Sequence, residues 1–472
     1  LRTGRGRRTR SPRAGIGAAG GPGVTILVCL AACALAGGRI SSPAEASAIP
    51  ALEEATSPDH GYGTAAFPCP PELRPRVNFW IRVFTEFSSD VRVLHDARYP
   101  WIIYDVVPVQ GLSERTAYRT IEARRTHYER ILDALPDKNP QTYTPEERRV
   151  ADLLAGVPDV HLRGDGKDRV RAQAGVQESM ASGLARSGRY LQRIIEIFDQ
   201  MDVPREIAYL PHLESSFEPA ARSRAGAVGL WQFTRATGRK YLRIENDLDE
   251  RRDPIASTLA AARFLREAKE KLGSWPLAVV GYNHGVNGML RAKDRLGSTD
   301  IVKILREYDA PSFGFASENF YCEFLAVVEI GRNPTRYFSG ISFAPPIETV
   351  DFPTRHFVKL SALAEAFRVP KHELAQLNPA LGRSYLHDSR AVPRGYILRL
   401  PPRITDPGVL YASIPASERF DREPRPEGHE VEPGETLERI ARRYRVSVST
   451  LCDLNGIRDA DRIYAGQMLV LP

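Results

Sequence analysis

The 472-residue sequence predicts a mainly α-helical protein that ends in small α+β modules of βααβ order. Three observations predict this. Apolar residues recur every three or four positions through the middle of the chain, the period of a helix face. Proline and glycine punctuate that pattern at helix starts and stops. A block near residue 360 then returns 77 residues later, the mark of a duplicated structural unit.

Composition sets the outer limits. Hydrophobic content of 42% and charged content of 26% are ordinary for a soluble globular protein of several domains. The net charge is +7, but six arginines fall within the first 13 residues with no acid among them. Without that tail the chain is near neutral, so nucleic acid is not expected as a partner. The five cysteines, Cys29, Cys33, Cys69, Cys322 and Cys452, form no CxxC pair. Neither a metal centre nor a disulfide framework is indicated, and no cofactor is expected.

The N-terminus (1–40) reads as an export signal: a basic stretch, Arg2 to Arg13, precedes the short apolar run Val24 to Ala32. The run is too short for a stable membrane span. It ends in Leu30-Ala31-Ala32-Cys33, which resembles a bacterial lipobox and makes Cys33 the candidate lipidation site. The other reading is a signal peptide cut after a small residue such as Ala36. Residues 41–74, rich in Ala, Ser and Pro, are expected to be a linker.

Residues 75–201 are expected to form a helical region, with long amphipathic stretches over Glu114 to Leu135 and Val176 to Phe198 and few strand signals. Residues 202–341 read as a compact helical block. Asp253-Pro254 is a helix start, an N-cap acid followed by proline, and Gly273 is its stop. Trp275 to Asn283, ended by Gly285, and Ser317 to Ile330 are further helices.

In the repeat, Leu360, Ala364, Val369, Leu374, Leu377 and Asn378 return as Leu437, Ala441, Val446, Leu451, Leu454 and Asn455. After a short insertion in the first copy, Gly395, Leu398, Leu400 and Pro401 match Gly466, Leu469, Leu471 and Pro472. The two copies span 350–402 and 429–472. Residues 403–428, rich in Pro and charge, are expected to be a flexible linker.

The residue that points to chemistry is Glu214. Ile207, Leu210, Glu214 and Phe217 share one helix face that is otherwise apolar, and Pro211 forces the helix to kink or restart. A carboxyl on a core-facing stripe loses water, its pKa rises, and it can hold a proton near neutrality for delivery to a leaving group. Three elements follow in order. They are Ser223-Arg224-Ala225-Gly226-Ala227-Val228-Gly229-Leu230-Trp231-Gln232, Gly281-Tyr282-Asn283-His284-Gly285 and Glu318-Asn319-Phe320-Tyr321. In the first of these, glycines let backbone approach a ligand, Trp231 offers a face to a sugar ring, and Gln232 offers donors and acceptors.

Together and in this order these elements resemble the catalytic domain of lytic transglycosylases, lysozyme-like enzymes that cut bacterial peptidoglycan, and within them the membrane-bound lytic murein transglycosylase D group. The likeness rests on Glu214-Ser215-Ser216-Phe217, Gly229-Leu230-Trp231-Gln232, Tyr282-Asn283-His284-Gly285 and Tyr321, and covers about Val170 to Ile330. His284 stands where the family usually has a small residue. His429 to Leu437 with its Pro433-Gly434-Glu435-Thr436 turn, then Ile440-Ala441, Leu454-Asn455 and Gly466 to Leu469, resembles a LysM module, a binder of N-acetylglucosamine-containing glycans. The first copy has His356-Phe357-Val358-Lys359 in place of that turn, as in a degenerate module kept for spacing or packing.

The resemblance implies Glu214 as the catalytic acid and base, with Ser215, Ser223, Gln232, Tyr282, Asn283 and Tyr321 contacting substrate. It implies Gly434, Glu435, Thr436, Asn455 and Ile457 as the LysM glycan contacts. The implied partners are peptidoglycan glycan strands and, through Cys33, outer-membrane lipid. The implied location is the periplasmic face of the outer membrane, or the periplasm. No second catalytic carboxyl is evident: Glu218 reads as a solvated helix-end acid, and Asp249, Glu250 and Asp253 read as pairing with Arg251 and Arg252 and as capping. A hydrolytic muramidase and a non-catalytic wall-binding protein are the alternatives.

Overall fold

The computed structural model describes residues 62–156, 169–245, 247–424 and 428–471. The expected export signal, Cys33 with it, and the expected linker as far as residue 61 lie outside the described residues.

The rest of that linker is packed. Phe67 is buried against Phe324, and the Tyr321 hydroxyl donates to the Pro68 carbonyl at 2.8 Å. The chain then enters α1 (Arg74–Thr85), which turns Val77, Trp80 and Phe84 inward. β1 (Val91–Asp96) and β2 (Ile103–Pro108) follow, then α2 (Glu114–Ala134), α3 (Pro145–Leu153) and β3 (Val170–Ala174). Ser113 caps α2, and a Thr144/Glu147 capping box starts α3.

The three strands form an antiparallel sheet of order β2-β1-β3, with Val93 opposite both Val106 and Gln173. The mostly helical 75–201 therefore also carries a sheet that its few strand signals did not reveal. The central strand β1 is buried without alternation from Val93 to Asp96, so it lacks the period-two signature of a half-exposed strand. Its second partner, β3, comes from more than 70 residues away. Leu94, Tyr104, Tyr128, Ile131 and Val150 close a small core of their own beneath the sheet.

The stretch expected as one helix over Val176 to Phe198 is two: α4 (Gln177–Ser187) and α5 (Leu191–Gln200). The break falls at Gly188, where a Cβ would come within 2.3 Å of the Ala344 carbonyl, so the returning chain needs the missing side chain. After a 3-10 turn, α6 (Pro211–Ser215) restarts at Pro211 and ends with Ser216 and Phe217 in left-handed conformation. β4 (Ile244–Glu245) and β5 (Leu248–Asp249) form a short hairpin.

Next comes α7 (Pro254–Leu272), with the Asp253 carboxylate accepting from the N–H groups of Ile255 and Ala256 and Gly273 closing it at φ +89°. Then follow α8 (Trp275–His284), α9 (Val286–Leu296), α10 (Ile301–Glu307) and α11 (Phe315–Arg332). Twelve of the eighteen residues of α11 are buried, so it is a central helix with neighbours on all sides. One core joins α1, α4 and α5 to α6 through α11. The expected boundary near residue 201 is therefore not a boundary in packing.

The repeat is visible in the backbone. The first copy runs β6 (Val350–Pro353), α12 (Leu360–Phe367), α13 (Lys371–Leu377) and β7 (Ile397–Leu400), with Phe352 opposite Leu398. In the expected linker, α14 (Pro407–Ala412) extends the first module: Ile404, Tyr411 and Ile414 are buried in its core. Phe420 exchanges two backbone hydrogen bonds with Phe357. A proline-started helix carrying aliphatic and aromatic residues covers apolar surface despite the Pro-rich composition. The second copy runs β8 (Gly428–Glu430), α15 (Leu437–Arg443), α16 (Val448–Asn455) and β9 (Met468–Val470).

The insertion peculiar to the first copy fastens it to the helical domain. Leu248 of the β4–β5 hairpin is fully buried in the first module's core. Asp249 N–H donates to the Ala380 carbonyl, and Gly382 N–H to that of Asp247. The Asp247 carboxylate accepts from the Ser384 amide at 2.7 Å and its hydroxyl at 2.9 Å. Buried Arg399 reaches Asp253 at 3.5 Å and Asp351 at 2.8 Å. Asp247→Ala should therefore lower unfolding stability by about 2 kcal/mol, the scale of hydrogen bonds to a charged acceptor. It should also speed proteolysis within 380–424, as read by denaturant titration and timed digestion.

Candidate functional site

Glu214 sits on α6, which is too short to bury a face by itself and is held by its ends. Pro211 starts it, and the Ser216 and Phe217 turn ends it with the Arg186 guanidinium donating twice to the Ser216 carbonyl. The helix packs beneath α11 and beside α4. Glu214 is 1% exposed and its Oε1 has no hydrogen-bond partner. Burial alone pushes its carboxyl up to about 8, so it is protonated at neutral pH. His212 on the same helix is also buried, both ring nitrogens without partners, and burial holds it down to about 3. It is a neutral packing ring against Phe217, 4.5 Å between centroids.

The Ser223 to Gln232 segment forms a compact loop around α6. The Ser215 hydroxyl donates to the Leu230 carbonyl at 2.9 Å and so ties helix to loop. Ser215 is thus placed by the structure as a fastening, not as a group open to substrate. Trp231 is fully buried with its indole donating to Thr258 on α7, so it offers no ring face to a sugar. Gly229, at φ +85°, lies where a Cβ would meet the Arg251 carbonyl at 1.8 Å, so its close approach is to protein backbone. The buried Arg251 guanidinium donates to the Gly226 and Phe233 carbonyls and pairs with Asp249, stapling the loop from behind. Ser223 stays half-buried, with its oxygen accepting from Ala227 N–H.

Gln232, Tyr282 and Asn283 come together as lining of a cleft of 490 Å³, with Lys240, Lys271 and Glu267 on its walls. Gln232 holds a positive φ of 45° and donates to the Gly229 carbonyl. The Tyr282 hydroxyl donates to the Trp231 carbonyl at 2.6 Å. Burial first, then the Glu214 charge, raises Tyr282 well above an ordinary phenol, while Glu214 itself is not among the residues lining this cleft. His284, in the same lining, bonds Ser317 at 3.1 Å and stacks over Gly288, where no side chain would fit. Tyr321 departs from its expected role: it is fully buried and its hydroxyl is committed to Pro68.

The structure adds one residue that sequence reasoning missed. Glu323 on α11 is 8% exposed, with Oε1 unpartnered. Burial, then the charge of Glu214, pushes it up to about 8. Its signal was present: Glu323 interrupts the apolar stripe of Phe320, Phe324 and Val327, the same pattern that singled out Glu214. Glu218 is half-exposed with Arg186 3.9 Å away, and Asp249 and Asp253 serve pairing and capping, as their sequence contexts suggest. Among the described residues, no group of three or more His, Cys, Asp or Glu is arranged to hold a metal ion.

In the second module, Gly434 at φ +83° and Thr436 lie exposed at the turn, and Thr436 caps α15. The Glu435 carboxylate turns inward, to His429 at 2.6 Å and to Glu432 N–H. Asn455 is half-buried: its amide donates to the Leu451 and Val470 carbonyls and accepts from Val470 N–H. Asn378 makes the same three bonds in the first module, to Leu374 and Arg399. The repeated asparagine is a pin for the last strand in both modules. Ile457 packs on the module core, and Tyr464, 70% exposed, is the large aromatic group on the same loop.

Comparison with known proteins meets this geometry at both ends. The model of the transglycosylase SLT domain matches residues 197–305, and that of the LysM domain matches 429–472. The chain carries an SLT domain and a LysM domain. It is homologous to membrane-bound lytic murein transglycosylase D of Escherichia coli K12, 27% identical over 338 residues, which cover 68% of this chain and 71% of that protein. The same figures hold for the protein of that name from E. coli O6:H1. The SLT match contains Glu214, the Ser223 to Gln232 loop and the Tyr282 helix, and stops short of Glu323. The lysozyme-like reading of the helical block and the α+β reading of the tail hold.

The buried SLT carboxyl has a measurable signature in stability. A carboxyl whose folded pKa lies above its unfolded value favours folding fully below pH 4.5 and loses that advantage as pH rises through 8. Glu214→Gln should therefore raise unfolding stability at pH 8 by at least about 1 kcal/mol, with the gain vanishing at pH 4.5. Thermal melts across that range would show it.

Proposed function

We propose that this chain is a lytic transglycosylase that cuts the β-1,4 bond between N-acetylmuramic acid and N-acetylglucosamine in peptidoglycan and leaves a 1,6-anhydromuramoyl end. The observation that carries this is Glu214: a dehydrated carboxyl, protonated at neutral pH, in the SLT sequence context. Glu214 gives its proton to the glycosidic oxygen as the C1–O bond breaks. The acetamido oxygen of the muramoyl residue bonds to C1 and takes up the positive charge. The muramoyl 6-hydroxyl then attacks C1 and displaces the acetamido oxygen, and Glu214, now ionised, takes the hydroxyl proton. Glu214 ends protonated and no water is consumed. Ser223, Gln232, Tyr282 and Asn283 are the groups we assign to the sugar chain. Ser215 and Tyr321 support the site through Leu230 and Pro68.

The LysM module is the wall anchor in this reading, with the exposed Gly434-Thr436 turn and the Tyr464 loop as its contact surface. An exposed aromatic ring on a rigid loop is suited to stacking on a sugar face. A cell-envelope location follows from the homology to a membrane-bound murein transglycosylase. No described helix is long and apolar enough to cross a membrane, and lipidation at Cys33 remains the proposed attachment.

Glu214→Gln should lower turnover of purified peptidoglycan by about a hundred- to ten-thousand-fold, the range for loss of one acid-base group, with the fold retained. Mass analysis of the wild-type products should find anhydro ends; reducing ends would make the enzyme a hydrolase. Deleting 427–472 should weaken co-sedimentation with sacculi and slow their digestion while sparing turnover of a soluble muropeptide oligomer, since a tether raises local concentration without touching the reacting bond.

A further inference from the structure

We propose that His429 is a positioning residue for glycan recognition: from beneath the last module it holds the Glu432 to Thr436 turn in the shape that meets the wall, through the inward carboxylate of Glu435. The inference rests on the reading of this module as the wall anchor and deepens it.

The turn is built for one shape. Pro433 and Gly434 are its central residues, Gly434 at φ +83°, and the Glu435 N–H donates to the Glu432 carbonyl at 3.1 Å. Proline followed by a glycine of positive φ is the type II pattern. Glu432, Pro433, Gly434 and Thr436 are all exposed, so the turn has little core of its own. Glu435 holds it. One carboxylate oxygen accepts from the Glu432 N–H at 2.9 Å and meets His429 Nε2 at 2.6 Å. An ionised carboxylate only accepts, so Nε2 carries the proton. The other ring nitrogen lies 3.1 Å from the hydroxyl of Tyr444, the residue that ends α15. His429 is 6% exposed and both its nitrogens are engaged, so it has none left for a sugar. β8, the turn and the end of α15 are thus joined at one imidazole.

The first copy shows the same frame without this polar set. Phe352 faces Leu398 as His429 faces Leu469. Phe367, seven residues after Leu360, stands where Tyr444 follows Leu437, and Val358 stands in place of Glu435. The ring pairs keep one geometry: Phe352 and Phe367 lie 5.7 Å apart at 70°, His429 and Tyr444 5.5 Å apart at 61°. The frame therefore folds without a histidine there. In that copy Val358 is fixed to the loop before the last strand, exchanging backbone hydrogen bonds of 3.1 and 2.8 Å with Val392. That bridge closes the space between turn and loop. In the last module, among the described residues, no backbone hydrogen bond joins the 432–436 turn to the Tyr464 loop. The polar set fixes the turn from below and leaves the space between turn and loop open.

The test borrows the first copy's own residue. His429→Phe keeps the ring contact with Tyr444 and removes the bond to Glu435. It should weaken co-sedimentation of the full chain with sacculi by about tenfold, since only molecules with the turn in place bind. Turnover of a soluble muropeptide oligomer should not change. His429→Gln, whose amide N–H replaces that of Nε2, should restore most of the affinity. His429→Phe combined with Glu435→Val should bind no worse than the weaker single variant, because both break one bond. Unchanged affinity in His429→Phe, equal losses in the Phe and Gln variants, or losses that add would each overturn the proposal. Amide hydrogen exchange over 431–437, read by mass spectrometry on the full chain without glycan, isolates the turn. It should quicken in His429→Phe and not in His429→Gln, with α15 and α16 unaltered. Faster exchange across the whole module would make His429 a residue of the fold alone and defeat the proposal. If deleting 427–472 left sacculus binding intact, the anchor reading would fail instead, and the exchange would still decide whether His429 holds the turn.

Discussion

The catalytic half of this molecule is arranged around the removal of water from one carboxyl. Glu214 lies on a helix of five residues, and five residues cannot bury anything unaided. The dehydration is produced by what surrounds the helix. α11 lies against it, Arg186 closes its C-terminal turn, and the Ser223 to Gln232 loop is drawn over it by Ser215 and stapled by Arg251. Each bond that looks purely architectural keeps the dielectric around that carboxyl low. Loosening any of them would admit water and return Glu214 to the behaviour of an ordinary surface acid.

This explains why several motif residues are not open to solvent. Ser215, Trp231 and Tyr321 are close-packed and hydrogen-bonded to protein. They act on the position of the loop, on the fit of α7 and on the entry of the chain at Pro68. Ser223, Tyr282 and Asn283 are left partly exposed, the last two in the lining of the cleft.

Much of the helical block was legible because helix ends are written locally. Asp253-Pro254 and Gly273 bound α7 where capping chemistry puts them, and Pro211 restarts the helix as its fixed φ requires. The repeat was legible because each copy keeps the same core and the same pinning asparagine. What escaped was written at a distance. β1 is buried without alternation and takes its second partner from Val170–Ala174. The 403–420 segment reads as a linker by composition, yet Tyr411 and Ile414 find a surface that exists only once the first module has folded. Glu323 is the instructive miss. Its stripe was as apolar as that of Glu214, but no resemblance directed attention to it, and a helix buried on all sides conceals an isolated acid.

The pinned strand and the insertion beside it illuminate how the duplication diverged. In both copies the same asparagine fastens the last strand, so the two frames close in the same way. The loop between the second helix and that strand has gone two ways. In the first copy it is lengthened, and Ala380, Gly382 and Ser384 lie against Asp247 and Asp249. In the second it stands largely in solvent, with Tyr464 uncovered. One copy spends this loop as a seat on the rest of its own chain, while the other leaves the same loop facing solvent.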